Sequence, residues 1–155
     1  MEHKLNVLKK IAKELNENHI TWALGASMLL YFKGVVEEFH DIDLMILNEE
    51  TTDVKRILDS LGIRQPDNPN GKYKTKTFME YVIDGVDIDV MAGFAICCEE
   101  KVIDCSLNKN QIVDEVFLEG ERIPLQSLEL WLRYYELMER NDKVKIIKEY
   151  LGEDV

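Results

Sequence analysis

The sequence predicts an α+β fold. Apolar residues recur at helical spacing in segments near both ends of the chain, and short apolar runs of strand character lie between them. An Asp-Gly pair, Asp84-Gly85, joins two alternating segments and so marks an antiparallel hairpin. The 155 residues suit one compact domain with its own core, expected to span 1–155, with a core region of about 20–124 and C-terminal helices at about 126–151.

Composition narrows the function classes. Apolar content of 46% and charged content of 32% belong to neither a disordered chain nor a membrane protein. No apolar run approaches the roughly 20 residues that span a bilayer. The opening residues, MEHKLNVLKK, read as a helix start with no apolar signal-peptide segment behind it, so a cytoplasmic location is expected. The formal charge of −11 works against binding a polyphosphate backbone over the whole surface, which makes nucleic acid a less favoured acceptor. A small-molecule nucleotide carried with Mg2+ is compatible with it. The three cysteines, Cys97, Cys98 and Cys105, are odd in number and form no CxxC pair, so reduced thiols in or near the core are expected rather than a disulfide frame or zinc site. His3, His19 and His40 are scattered and form no ligand set.

Taken in order, Lys4 to Asn18 is a helix with Leu5, Leu8, Ile11, Ala12 and Leu15 on its buried stripe. Thr21 to Leu24 is a short buried strand. Gly25-Ala26-Ser27 turns into a helix over Ser27 to Lys33, which Gly34 ends. The turn has two readings. Glycine lets backbone approach a ligand closely, and a helix N-terminus offers free N–H groups to phosphate; or it is an ordinary strand-to-helix turn with Ser27 as N-cap. Asp41 to Leu47 is a second strand, apolar on both faces toward its C-terminal end and therefore central. Asn48-Glu49-Glu50 is a loop, and Thr52 or Asp53 caps a helix to Leu61. Gln65 to Gly71, with two of the three prolines, is a loop. Tyr73 to Met91 is a hairpin about Asp84-Gly85. A two-residue turn there pairs Ile83 with Val86, Val82 with Asp87, Glu80 with Asp89 and Phe78 with Met91. Gly93 to Asn110 has no clear period, although Ile96 and Val102-Ile103 suggest short buried pieces. Gln111 to Leu118 and Arg122 to Pro124 form a second hairpin. Helices over Gln126 to Met138 and Asp142 to Leu151 close the chain, the first burying Leu128, Trp131, Leu132, Tyr135 and Met138.

The chemistry concentrates in WALGASMLLYFKGVVEEFHDIDLMIL, Trp22 to Leu47. Asp41 and Asp43 are two apart in a strand, so both carboxylates aim at one face of an otherwise apolar segment. Such placement is costly unless a cation sits between them. The hairpin register adds Glu80, Asp87 and Asp89 on one face, where like charges destabilise a sheet and a bound cation would relieve them.

The order Gly-x-Ser, helix, Asp-Ile-Asp in a strand, then a third Asp in a later strand resembles the nucleotidyltransferase superfamily that includes DNA polymerase beta. Its nearest flavour is the small bacterial nucleotidyltransferases close to the antibiotic adenylyltransferases. The resemblance is good from Trp22 to Met91 and weak over Ile123-Pro124 and Met138 to Lys143. It implies a mixed central β-sheet with helices packed on one face, plus C-terminal helices. It implies Gly25, Ala26 and Ser27 at the nucleotide phosphates, and Asp41, Asp43 and Asp89 as catalytic metal ligands for two Mg2+ ions, with Mn2+ as a substitute. Asp89, in Ile-Asp-Val-Met, fits the third-acid pattern better than Asp87. It implies a nucleoside triphosphate, ATP first, as donor and a hydroxyl of a small molecule or protein as acceptor, with pyrophosphate released. A homo-oligomer is compatible with a small acceptor site formed between subunits. Two departures stand out. Ala26 replaces a frequent glycine, and Glu37-Glu38-Phe39-His40 stands where relatives carry a basic residue, leaving Lys33, Arg140 or Lys143 to grip the triphosphate, with Lys143 taken as the nucleotide-binding residue. The competing expectations are a regulatory or toxin–antitoxin-type module acting on a partner protein, a degenerate nucleotide-binding fold without chemistry, and a structural protein.

Overall fold

The computed structural model describes residues 1–66 and 77–153. In chain order its elements are α1 (Glu2–Glu17), β1 (Trp22–Leu24), α2 (Ala26–Phe32), β2 (Ile42–Ile46), α3 (Thr51–Asp59), β3 (Ile63–Arg64), β4 (Thr77–Ile83), β5 (Val86–Ala92), β6 (Ala95–Cys98), β7 (Lys101–Asp104), β8 (Asp114–Leu118), β9 (Glu121–Leu125), α4 (Leu128–Leu137) and α5 (Asn141–Leu151). Seven strands form one sheet in the order β3-β4-β5-β2-β1-β9-β8, with β6 and β7 as a separate pair. The sheet is mixed: β2 runs parallel to β5 and β1 parallel to β9, and the other neighbours are antiparallel. The fold is therefore α+β, and β2 is the middle strand of the seven.

Side-chain alternation decides what each face of this sheet does. In β4, Met79, Tyr81 and Ile83 are buried, and the Tyr81 hydroxyl donates to Asp59 Oδ1 of α3 at 2.8 Å. Tyr81 lies opposite Ile88, which lies opposite Ile42, so these three residues share the face that α3 covers. Helix α1 packs against α3 and buries Val7, Leu8, Ile11, Ala12 and Leu15. Each of these Val, Leu and Ile side chains taken out of water contributes roughly 1.5–3 kcal/mol before entropy is counted. The intervening positions, Glu80, Asp89 and Asp43, necessarily point to the other face.

The hairpin register follows the Asp84-Gly85 turn residue for residue: Ile83 pairs with Val86, Val82 with Asp87, Glu80 with Asp89 and Phe78 with Met91. Both turn residues have positive φ, 50° and 80°, the geometry whose twist matches the flanking strands. Gly34, at φ 81°, ends α2 in a Schellman arrangement, with Val35 N–H donating to the Leu30 carbonyl at 2.9 Å. Ser127 caps α4 by accepting from Leu130 N–H at 3.1 Å. The cysteines are free, with Cys105 buried and Cys97 and Cys98 half-buried.

Several expectations are corrected. Helix α3 starts at Thr51 without a side-chain cap from Thr52 or Asp53, and Asn48–Glu50 is a 3-10 turn rather than an open loop. The Glu50 carboxylate instead accepts from Thr21 N–H at 2.8 Å, tying this turn to the start of β1. Helix α4 begins at Leu128, which leaves Gln126 as a fully buried polar residue ahead of it, and α4 buries Tyr134 while Leu132 is only partly covered. Val102 is 60% exposed, not buried. The segment without period holds the β6–β7 hairpin, whose turn is Glu99-Glu100 with φ of 51° and 64°. No Gly or Asn marks that turn, which is why it is invisible to turn chemistry. The loop expected over Gln65 to Gly71 and the hairpin start at Tyr73 lie, from residue 67 to 76, outside the described residues.

A left-handed backbone costs an L-residue roughly 1–2 kcal/mol. Glu100→Gly is therefore expected to stabilise the protein by about 1 kcal/mol, offset in part by the freer unfolded chain, and to raise Tm by about 2–4 °C in a thermal melt. An unchanged or lowered Tm would contradict the turn assignment.

Candidate active site

The two strands at the centre of the sheet bring the acids together. In the parallel β2–β5 pair, Asp43 lies directly opposite Asp89. Adjacent strands are about 4.8 Å apart, so two carboxylates on the same face at one register position are neighbours. Both are half-buried. The two carboxyl groups lie within hydrogen-bonding reach of each other, so a proton on one of them would be shared with the other. Burial pushes the Asp43 carboxyl well above the usual range, and the charges of Asp89 and Asp41 push it further. Burial is also the first cause at Asp89, reinforced by Asp41, Glu80 and Asp87; its carboxyl is raised from the ordinary 3.8 to about 6.

Asp41 immediately precedes β2 and is half-exposed, and its charge reaches both other acids. Glu80 lies across from Asp89 on β4, while Asp87 is exposed and pairs with Val82. One cation opposes this cluster at Asp43: Lys143, in the first turn of α5, favours the ionised carboxylate there. The other two cations considered from the sequence are engaged with carboxylates, Lys33 with Asp114 and Arg140 with Asp142 at 3.3 Å.

The donor set suits a hard divalent cation, which takes carboxylate oxygens. Two carboxylates this close favour protonation of one of them unless a stronger positive charge than that of Lys143 is brought in. Among the described residues, no three His, Cys, Asp or Glu side chains are drawn together as a ready-made metal-binding group. Asp43 and Asp89 turn toward each other, and Asp41 acts on them at longer range.

The Gly25 turn is tied to this centre by its backbone: Gly25 N–H donates to the Asp43 carbonyl at 3.5 Å. Gly25, in extended conformation, is the N-cap of α2 and Ser27 the second residue of the helix, so the reading of Ser27 as N-cap is overturned. No side chain caps this helix. The reason for a glycine is also concrete. A Cβ on Gly25 would come within 2.6 Å of Trp131 Nε1 and closer still to the indole carbons, so the close approach is made by a ring of α4. Ala26 has φ of 52°, a left-handed conformation that glycine adopts without cost; this is the physical reason for a second glycine at the position where this chain has alanine.

The acid pair has a sign-definite pH signature. The folded state holds the Asp89 proton more tightly than the unfolded chain does, so the stability this group contributes is present below about pH 4 and lost as pH rises through about 6. In metal-free buffer at pH 7.5, Asp89→Asn is expected to raise stability by about 1 kcal/mol after solvent screening. The gain should shrink to nothing as the melts are taken down to pH 4. A gain independent of pH would rule out the coupled-carboxylate explanation.

No protein-family model matches the chain, and no curated protein matches it. Solved structures do. A Thermotoga maritima protein described as a candidate nucleotidyltransferase superposes with a TM-score of 0.77 at 25% identity, covering 98% of this chain and 94% of that one. ANT(2")-Ia, solved with adenylyl-2"-tobramycin, gives 0.65 at 14% identity over 97% and 90% of the two chains. The lincosamide antibiotic adenylyltransferase LnuA, solved with lincomycin bound, gives 0.60 at 15% identity over 96% of each. This chain, with its mixed sheet and paired acids on the two central strands, has the nucleotidyltransferase fold shared by those antibiotic adenylyltransferases.

Proposed function

We propose that the protein transfers a nucleoside monophosphate from a nucleoside triphosphate, ATP first, to a hydroxyl of a small-molecule acceptor and releases pyrophosphate. The observation that carries this reading is the Asp43–Asp89 pair on adjacent central strands, with Asp41 beside it, in a nucleotidyltransferase fold. The small-molecule acceptor is favoured over a protein because two of the neighbours are solved with an adenylylated or bound antibiotic.

In this reading, Asp41, Asp43 and Asp89 would hold divalent metal, Mg2+ by expectation, which would neutralise phosphate charge and acidify the acceptor hydroxyl. The acceptor oxygen forms a bond to the α-phosphorus. The bond from that phosphorus to the bridging oxygen breaks, and its electron pair leaves on pyrophosphate. Asp89, the third acid, accepts the hydroxyl proton. The backbone of Gly25 to Ser27 orients the β- and γ-phosphates, and Lys143, the cation already acting on Asp43, meets the charge of the triphosphate.

The first test is thermal melting with Mg2+ or Mn2+, each with ATP, GTP, CTP or UTP, since a ligand of the native state raises Tm. A shift that needs both metal and one nucleotide is expected and names the donor. Asp41→Asn should lower metal-dependent pyrophosphate release at least about a hundredfold while leaving the protein folded. Full activity of that variant, or no shift with any combination, would sink the reading.

A further inference from the structure

Trp131 lies on α4, outside every motif of the acid cluster, and yet it is built into the Gly25 turn. Its ring occupies the space a side chain on Gly25 would need. The ring is itself held on several sides. Its Nε1–H donates to Gln126 Oε1 at 2.8 Å, and it stacks on Phe94 at 6.0 Å and meets Tyr134 edge-on at 5.2 Å between centroids. Gln126 is fully buried and is fixed in turn: its backbone N–H donates to the Leu24 carbonyl at 3.3 Å, and its Nε2–H to Gln111 Oε1 at 3.4 Å. One residue thus grips the backbone of β1 just before the turn and, through its side chain, the ring that bounds the turn from outside. A buried amide is costly to desolvate, and a well-connected one specifies geometry more than it adds stability. An apolar residue at 126 would fill the space without fixing the indole.

We infer that Gln126 and Trp131 are positioning residues that set where the Gly25 to Ser27 backbone stands relative to the acids, and hence how the donor's phosphates are held. The inference rests on the proposed nucleotidyl transfer and concerns its phosphate-holding turn. The described tie between the turn and the acids is the Gly25 N–H bond to the Asp43 backbone carbonyl at 3.5 Å, and the carboxylates themselves are placed by the β2–β5 register, which neither residue enters. Loss of the indole or of its amide partner frees the turn to move, while the acid pair keeps its register. Misplacing a positioning element by about 1 Å can cost on the order of a hundredfold.

The test uses Trp131→Phe and Gln126→Met, with the wild type, in titrations of Mn2+ alone, Mg-tripolyphosphate and Mg-ATP. Tripolyphosphate isolates the phosphate contacts from those to base and sugar. In both variants, affinity for Mg-tripolyphosphate and Mg-ATP should fall about tenfold, with Mn2+ affinity unchanged within about twofold. Unchanged phosphate affinity, or equal loss for metal and phosphate, would overturn the inference, the second because it signals general loosening. If a variant fails to fold, fluorotryptophan-labelled wild type carries the test by 19F NMR: the Trp131 resonance should move on adding Mg-tripolyphosphate while that of Trp22 stays, and a fixed Trp131 resonance would overturn it. A wild type that binds Mn2+ but neither phosphate ligand refutes the functional reading and this inference together; a wild type that binds both, with variants that match it, refutes this inference alone.

Discussion

The pairing of Asp43 with Asp89 is the constraint around which the rest of this structure is arranged. Two carboxylates occupy facing positions on the two innermost strands, where the alternate residues, Ile42, Leu44, Ile88 and Val90, are completely buried. The strands cannot slip by one residue to separate the acids, because a slip would turn this apolar set away from α3 and α1. The repulsion is therefore held in place by the hydrophobic core, and among the described residues it is relieved by the field of Lys143 and by protonation of the pair. A sheet optimised for stability would not be written this way; local cost at a fixed position is the usual mark of a site where another positive charge is meant to enter.

Charge is distributed to the same end. Cations elsewhere are spent on local pairs: Lys9 with Glu119, Lys10 with Asp84, Lys33 with Asp114, Arg122 with Glu115. Those pairs are solvent-exposed and contribute little to stability. Lys143 differs because its field acts on the half-buried Asp43 carboxyl rather than a solvated one. Its place in the first turn of α5 brings the charge of a C-terminal helix to the acid pair.

How far the sequence could be read depended on whether local chemistry or tertiary packing decided each feature. Asp84-Gly85 dictates its turn type, and the turn dictates the register, so the pairing of Glu80 with Asp89 was legible residue by residue. The central position of β2 was legible because both its faces turn apolar. The Glu99-Glu100 hairpin was not, since a residue type ill-suited to positive φ is held there by the pairing of β6 with β7. The two-residue β3, with Ile63 71% exposed, is defined by its partner strand and has no pattern of its own. Nor could spacing tell which of Lys33, Arg140 and Lys143 faces the acids; that depends on how α5 folds back. The glycine at 25 was conspicuous, but what fills the space beside it comes from α4, far along the chain.

The parallel pairing of Leu24 with Leu125 has a consequence for how the molecule comes into being. The strand that leads into the Gly25 turn is flanked on one side by β2, made soon afterwards, and on the other by β9, made only when most of the chain exists. Contacts between such distant segments carry a large loop-closure cost and form late. On a ribosome, then, the carboxylates are synthesised and can pair through β2 and β5 well before β1 gains its second neighbour or the turn its indole wall. A nascent chain of this protein passes through an interval in which Asp43 and Asp89 are already present while the turn beside them still lacks its second strand and its indole wall.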